Sequence, residues 1–263
     1  MRPFLDLGWF GTVAAGLFGA IVGSFLNVLI HRLPRSESLV RPGSHCPSCG
    51  APVAAADNIP IFSWLFLRGR CRTCRVSIPL RYPAVELANG LLWALVFWRA
   101  PVWGDFFAGA FLASACLALL FIDAEFQILP DAITLTGIAA GLGLSFLSRR
   151  TAPLESLAGA ALGAGSLFLL AFLWEKLRGV EGMGLGDVKM LGMIGAFLGP
   201  GGVLVTVLLA SLAGSLVGLV LILLRRGSLQ MRLPFGVFLA LGAIATLFFG
   251  EALIARYRLF FPS

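Results

Sequence analysis

The chain has 263 residues, of which 59% are hydrophobic and only 13% charged, a composition outside the habit of soluble domains. Its formal charge of +7 is gathered in a few short loops, which excludes nucleic acid as the natural partner and is how a membrane protein records its orientation. The class these numbers leave is an all-α polytopic membrane protein, with about eight transmembrane helices and one small four-cysteine metal-binding loop domain facing the cytoplasm.

The first apolar stretch covers 9–30 and stops at His31-Arg32. It exceeds the apolar core of a signal peptide and has no small-residue cleavage site before the stop, so a retained first helix is expected, with residues 1–31 as the first domain.

Residues 32–83 form the one long polar segment and the second domain. They carry Cys46-Pro47-Ser48-Cys49 and Cys71-Arg72-Thr73-Cys74, with 21 residues between the pairs. Two C-x-x-C turns at this separation supply four thiolates to one tetrahedral ion, and zinc is the expected metal, held by Cys46, Cys49, Cys71 and Cys74. A lobe too small to build its own core needs such a staple. The zinc is expected to be structural, because four thiolates leave no open position. His45 is a bystander in this reading. The alternative use of the cysteines, disulfides, does not suit a reducing cytosol.

Residues 84–263 form the third domain, with apolar segments at 84–98, 106–122, 133–147, 154–174, 188–198, 203–224 and 235–254. The segment 188–198 is short: eleven residues at about 1.5 Å each cover about half of a hydrocarbon core. It spans only with its Gly-rich flanks, or else it is a re-entrant half-helix. Cys116, mid-segment and without a partner in sequence, reads as a buried thiol. With the N-terminus outside, the cytoplasmic loops hold fourteen of the twenty Lys and Arg residues, a positive-inside bias.

Two aspartates stand at the mouths of these segments. Asp123 closes 106–122, at a helix C-terminus where the macrodipole disfavours an anion. Asp187 closes Gly184-Leu185-Gly186-Asp187, where Gly184 and Gly186 let the backbone turn and approach another chain closely. Ionisable groups at membrane depth are costly and mark function. Two carboxyls sharing one site and one proton make an acid and a base, the equipment for activating water against a peptide bond. Asp131, by contrast, is expected to N-cap the helix over 133–147. A transporter using the same aspartates is the alternative reading.

The sequence resembles the type IV prepilin peptidase family over nearly its whole length. The resemblance is carried by Gly23-Ser24-Phe25-Leu26-Asn27-Val28 leading to His31-Arg32-Leu33-Pro34, both cysteine pairs, and Asp57-Asn58-Ile59-Pro60 between them. Ser63-Trp64-Leu65, Leu67-Arg68-Gly69-Arg70, Arg81-Tyr82-Pro83 and Val85-Glu86-Leu87 follow. Leu129-Pro130-Asp131, the run 184–187 and Pro234-Phe235-Gly236 complete it. It implies Asp123 and Asp187 as the catalytic pair and a bacterial inner-membrane location. The implied substrates are membrane-anchored prepilins or pseudopilins, cut at the cytoplasmic face. It also implies N-methylation of the new N-terminus with S-adenosylmethionine, associated with the cysteine loop; no residue for that cofactor is assigned. Ala56 and Val237 depart from the family pattern, Val237 standing where proline often follows Pro-Phe-Gly. The expected effect of Val237 is on local helix geometry alone, away from the aspartates.

Overall fold

The computed structural model describes residues 8–179, 184–224 and 233–260. Among these, structure is helical, with isolated bridges at His45–Pro52 and Arg70–Ser77 and no strand. The chain forms two compact units, Met1–Pro101 and Val102–Ser263.

In the first unit α1 (Gly8–Arg32) and α3 (Arg81–Arg99) pack antiparallel, with the cysteine lobe and the five-residue α2 (Phe62–Phe66) between them in sequence. Small residues make the seam: a β-carbon on Gly23 would stand 2.8 Å from Glu86 Cα, and one on Gly90 2.9 Å from the Gly16 carbonyl. Close backbone approach of this kind substitutes for a hydrophobic drive between helices in lipid. Buried amides then bridge the seam. Asn89 Nδ2 donates to the Gly19 carbonyl at 2.7 Å and Asn27 Nδ2 to the Tyr82 carbonyl at 3.1 Å. Arg32 is buried at the end of α1, where its guanidinium donates to the carbonyls of Ser38, Pro42 and Gly43 and gathers the outgoing loop. The boundary expected at residue 84 falls inside α3, the helix that lies along α1.

The second unit is built on α4 (Trp103–Phe126), whose buried face meets α5 (Asp131–Leu144), α7 (Leu185–Leu223) and α8 (Phe235–Phe260). The α6 helix (Pro153–Arg178) lies along α7 through Gly159 against Gly195 and Gly163 against Leu191, contacts with no room for a side chain. At the far end of α4, Asp105 organises the α5–α6 connection. Its Oδ1 accepts from Ser148 Oγ at 2.5 Å and from the Arg149 and Arg150 amides at 3.0 and 3.1 Å.

Among the described residues, five helices are long and apolar enough to cross a membrane: α1, α4, α6, α7 and α8. The expected segments 188–198 and 203–224 are the two halves of α7. Gly199 breaks the helix with φ 67° and ψ −178°, and Pro200 follows. The break is a reversal rather than a bend. A β-carbon on Gly195 would meet Val203 Cγ2 at 2.9 Å, whereas eight residues of straight helix cover about 12 Å.

Proline also removes the amide that would have bonded the carbonyl four residues back, that of Ala196. Ser156 Oγ donates to that carbonyl at 2.5 Å, and Thr151 Oγ1 to the next one, Phe197, at 2.9 Å. Two hydroxyls of the α5–α6 corner therefore satisfy the carbonyls that the break exposes.

Candidate functional site: two carboxyls between two helix starts

Asp123 sits in the last turn of α4 and is 5% exposed. The macrodipole objection to an anion there is answered by another helix. The Val237 amide donates to Asp123 Oδ2 at 3.0 Å and the Gly236 amide also bonds this carboxyl, so the first turn of α8 points its free N–H groups at it. This corrects the expectation for Val237. Its backbone touches an aspartate, and a proline there would have no proton to offer.

Asp187 is the third residue of α7, so its carboxyl stands at a second helix N-terminus, and it is half-buried. The two aspartates interact electrostatically. Leu129 fills the space between their supports: a β-carbon on Gly186 would stand 3.0 Å from Leu129 Cβ, and one on Gly236 3.1 Å from Leu129 Cδ1 and 2.8 Å from Asp123 Oδ2. Gly186 and Gly236 are therefore glycine for lack of space. Gly184 is different: it is the N-cap of α7, with φ −74°, and among the described residues only the Gly186 amide comes near its β position.

Asp131 does not cap its helix. Pro130 holds the N-cap position, and Asp131, one residue inside, takes Lys189 Nζ on both oxygens at 2.7 and 2.8 Å. The carboxylate still faces a favourable helix start, and the ion pair ties α5 to α7 beside the site. Gly236, Val237 and Leu129 were invisible as site residues from local pattern. They lie in or beside the runs 234–236 and 129–131 that carry the resemblance, and only the fold brings them to Asp123.

The four lobe cysteines converge as expected, their sulfurs all within 4.8 Å of one another. Cys46 Sγ and Cys74 Sγ are 3.8 Å apart, close to the spacing of about 3.8 Å that Zn–S bonds of about 2.3 Å impose on a tetrahedron. The two knuckles repeat one geometry. Cys46 N–H donates to Ala51 O and Gly50 N–H to Cys46 O; Cys71 N–H donates to Val76 O and Arg75 N–H to Cys71 O. Gly50 and Arg75 close the turns with positive φ, 70° and 60°.

Amides of Cys74 and Thr73 aimed at the Cys71 thiol pull it down to about 6. Cys74 responds oppositely: against the pull of the Val76 amide, burial and its thiol neighbours push it up to about 11. Four sulfurs this close cannot all ionise without a cation among them, so the donor set fits a thiophilic divalent metal. His45 is turned away, its Nδ1 donating to the Gly43 carbonyl at 2.9 Å. Cys116 is fully buried in α4.

An apolar helical bundle holding a pair of carboxyls at one end, in a chain that also carries a four-thiol lobe, defines the class as polytopic and helical with an acid-pair site. Residues 17–100 match the Bacterial Peptidase A24 N-terminal domain and residues 110–219 match the Type IV leader peptidase family. The chain is 38% identical to the prepilin leader peptidase/N-methyltransferase of Aeromonas hydrophila, over 95% of each protein. It is 40% identical to that of Burkholderia pseudomallei strain 1026b, over 89% of this chain and 84% of the relative. For the protein of that name in Pseudomonas aeruginosa the identity is 35%, over 93% and 92%. No solved structure matches. The chain belongs to the type IV leader peptidase family.

Proposed function

We propose that this protein is a membrane aspartic endopeptidase that removes the leader from type IV prepilins or type II secretion pseudopilins and then methylates the new N-terminus. The observation that carries the reading is the meeting of Asp123 and Asp187 across Leu129, each at a helix N-terminus, in a chain of this family. The pair shares one proton. Its ionised member takes a proton from water, which attacks the scissile carbonyl carbon. The protonated member donates a hydrogen bond to the carbonyl oxygen and then its proton to the departing amine. The first turn of α8 holds Asp123 in place, and Asp131–Lys189 locks α5 against the start of α7. The transporter alternative loses its support, because both halves of the chain match peptidase domains.

The chain crosses the bacterial inner membrane about eight times in this reading: the five long helices, α3 and α5, and α7 counted as two crossings about its reversal at Gly199. The side rich in Lys and Arg is cytoplasmic and holds the cysteine lobe and both aspartates. The lobe's metal is zinc, structural, on Cys46, Cys49, Cys71 and Cys74. Residues 1–31 supply the first helix, 32–83 the zinc lobe and 84–263 the peptidase part, with α3, which crosses the last boundary, packed along α1. S-adenosylmethionine, when bound, supplies the methyl group to the freed amine.

The test is cleavage of a co-expressed prepilin by Asp123→Asn and Asp187→Asn variants that still insert and purify as wild type. Each is expected to lose at least about 10³-fold in kcat/KM. Cleavage near the wild-type rate by either variant removes that residue from the mechanism.

A further inference from the structure

We infer that α2 is a membrane-surface element: Phe62, Leu65 and Phe66 enter the headgroup layer beside the C-terminal end of α1, and Arg68 and Arg70 bind anionic phospholipid headgroups there. The inference stands apart from the proposed chemistry, since neither aspartate enters it.

The first ground is depth. The Ile61 amide, at the start of α2, donates to Glu86 Oε2 at 2.7 Å. Glu86 lies five residues into α3, about 7.5 Å along its axis, and faces Gly23 of α1, nine residues before that helix ends at Arg32. Asn27 bonded to the Tyr82 carbonyl registers the same two helices one turn nearer the lobe. The lobe is thus pinned within the last turns of a helix long and apolar enough to cross a bilayer, not held out in water on a stalk.

The pinned segment is strained as well as anchored. Ile61 has φ 64° and ψ −52°, a γ-turn closed by the Phe62 amide on the Pro60 carbonyl at 2.6 Å. A β-branched residue in that region persists only where its surroundings hold it, and the Glu86 bond to the Ile61 amide is one of the contacts that do so.

The second ground is the surface that the turn sets up. Trp64 points into the lobe: its Nε1 donates to the Ile78 carbonyl at 3.1 Å and its ring lies against Gly69. The same helix leaves Phe62, Leu65 and Phe66 outward at 54%, 58% and 86% exposure. Three adjacent large apolar side chains on so small a lobe need a cover. Arg68 and Arg70, both exposed, follow directly. Apolar side chains beside snorkelling arginines match the boundary between acyl chains and phosphates.

The experiment places p-benzoyl-phenylalanine at position 66 of the full chain, in nanodiscs of phosphatidylcholine with about a quarter phosphatidylglycerol. Irradiation is expected to attach lipid to the peptide containing α2. The yield should fall several-fold in an Arg68→Gln/Arg70→Gln background whose bound metal is unchanged; if the double variant loses metal, Arg68→Gln alone replaces it. An adduct to another segment of this chain or to a second copy, or no lipid adduct, overturns the inference. Equal lipid yield with and without the arginines overturns the headgroup contact.

Discussion

Asp123 is held by main chain, and this sets how the site tolerates substitution. The amides of Gly236 and Val237 reach its carboxyl only because Gly236 has no β-carbon, which would stand 2.8 Å from Asp123 Oδ2. A Gly236→Ala variant must push the carboxyl away or tilt the first turn of α8. Displacement of a reacting group by a fraction of an ångström to one ångström costs about 10²-fold in rate. The expected result is a loss of kcat of about that size with KM nearly unchanged, read from prepilin cleavage kinetics. A Val237→Ala variant keeps the amide and should retain wild-type kcat. Gly184 makes the opposite case, since no side chain of the described residues crowds it and its φ suits any residue; nothing in the described structure explains why it is glycine.

At the scale of elements, two devices are open to measurement. The first is the α7 reversal, where Ser156 replaces the amide that Pro200 lacks. Ser156→Ala leaves the Ala196 carbonyl buried and unpaired, an expected loss of about 1–3 kcal/mol, to be read as a lower unfolding midpoint in detergent. The second is the clamp between the lobe's second knuckle and the turn Ala55–Asn58. Arg72 Nε and Nη2 donate to Asp57 at 2.7 and 2.5 Å. The Arg72 guanidinium holds the Asp57 carboxyl below the usual carboxylate range. A depressed folded value means the clamp's contribution is fully present above the unfolded value of about 3.9 and fades as pH falls through the folded one. Hydrogen exchange of residues 54–58 should therefore keep its protection from neutrality down to about pH 4 and lose it only further down, as pH falls through the depressed Asp57 value. An Arg72→Gln variant should show no such acid transition.

At the scale of the molecule, the division into Met1–Pro101 and Val102–Ser263 puts all four clustered thiols in one unit and both aspartates in the other. Replacing Cys46 and Cys71 by serine is expected to abolish bound metal, measured by elemental analysis, and to open the lobe to proteolysis. Prepilin cleavage should fall less than in the Asp123→Asn or Asp187→Asn variants. Mass spectrometry of the processed substrate separates leader removal from the added methyl, so one sample reads both activities.

Local pattern was enough for the parts of this protein whose physics is local. Apolar runs predicted the positions of the long helices because a backbone in lipid must satisfy its own hydrogen bonds within each segment. The paired C-x-x-C turns predicted one four-sulfur cluster because each turn presents two sulfurs by itself. The aspartates stood out because charge at such depth is costly. What the chain order hid was every contact made across it: the α8 amides on Asp123, Lys189 on Asp131, Ser156 on the Ala196 carbonyl, and the doubling back of α7 at Gly199. Propensity placed Asp131 at a cap, and an ammonium 58 positions away drew its carboxylate elsewhere. Residue type and spacing determine which groups must find partners; which partner each one finds is decided when the packed helices bring distant segments within hydrogen-bonding reach.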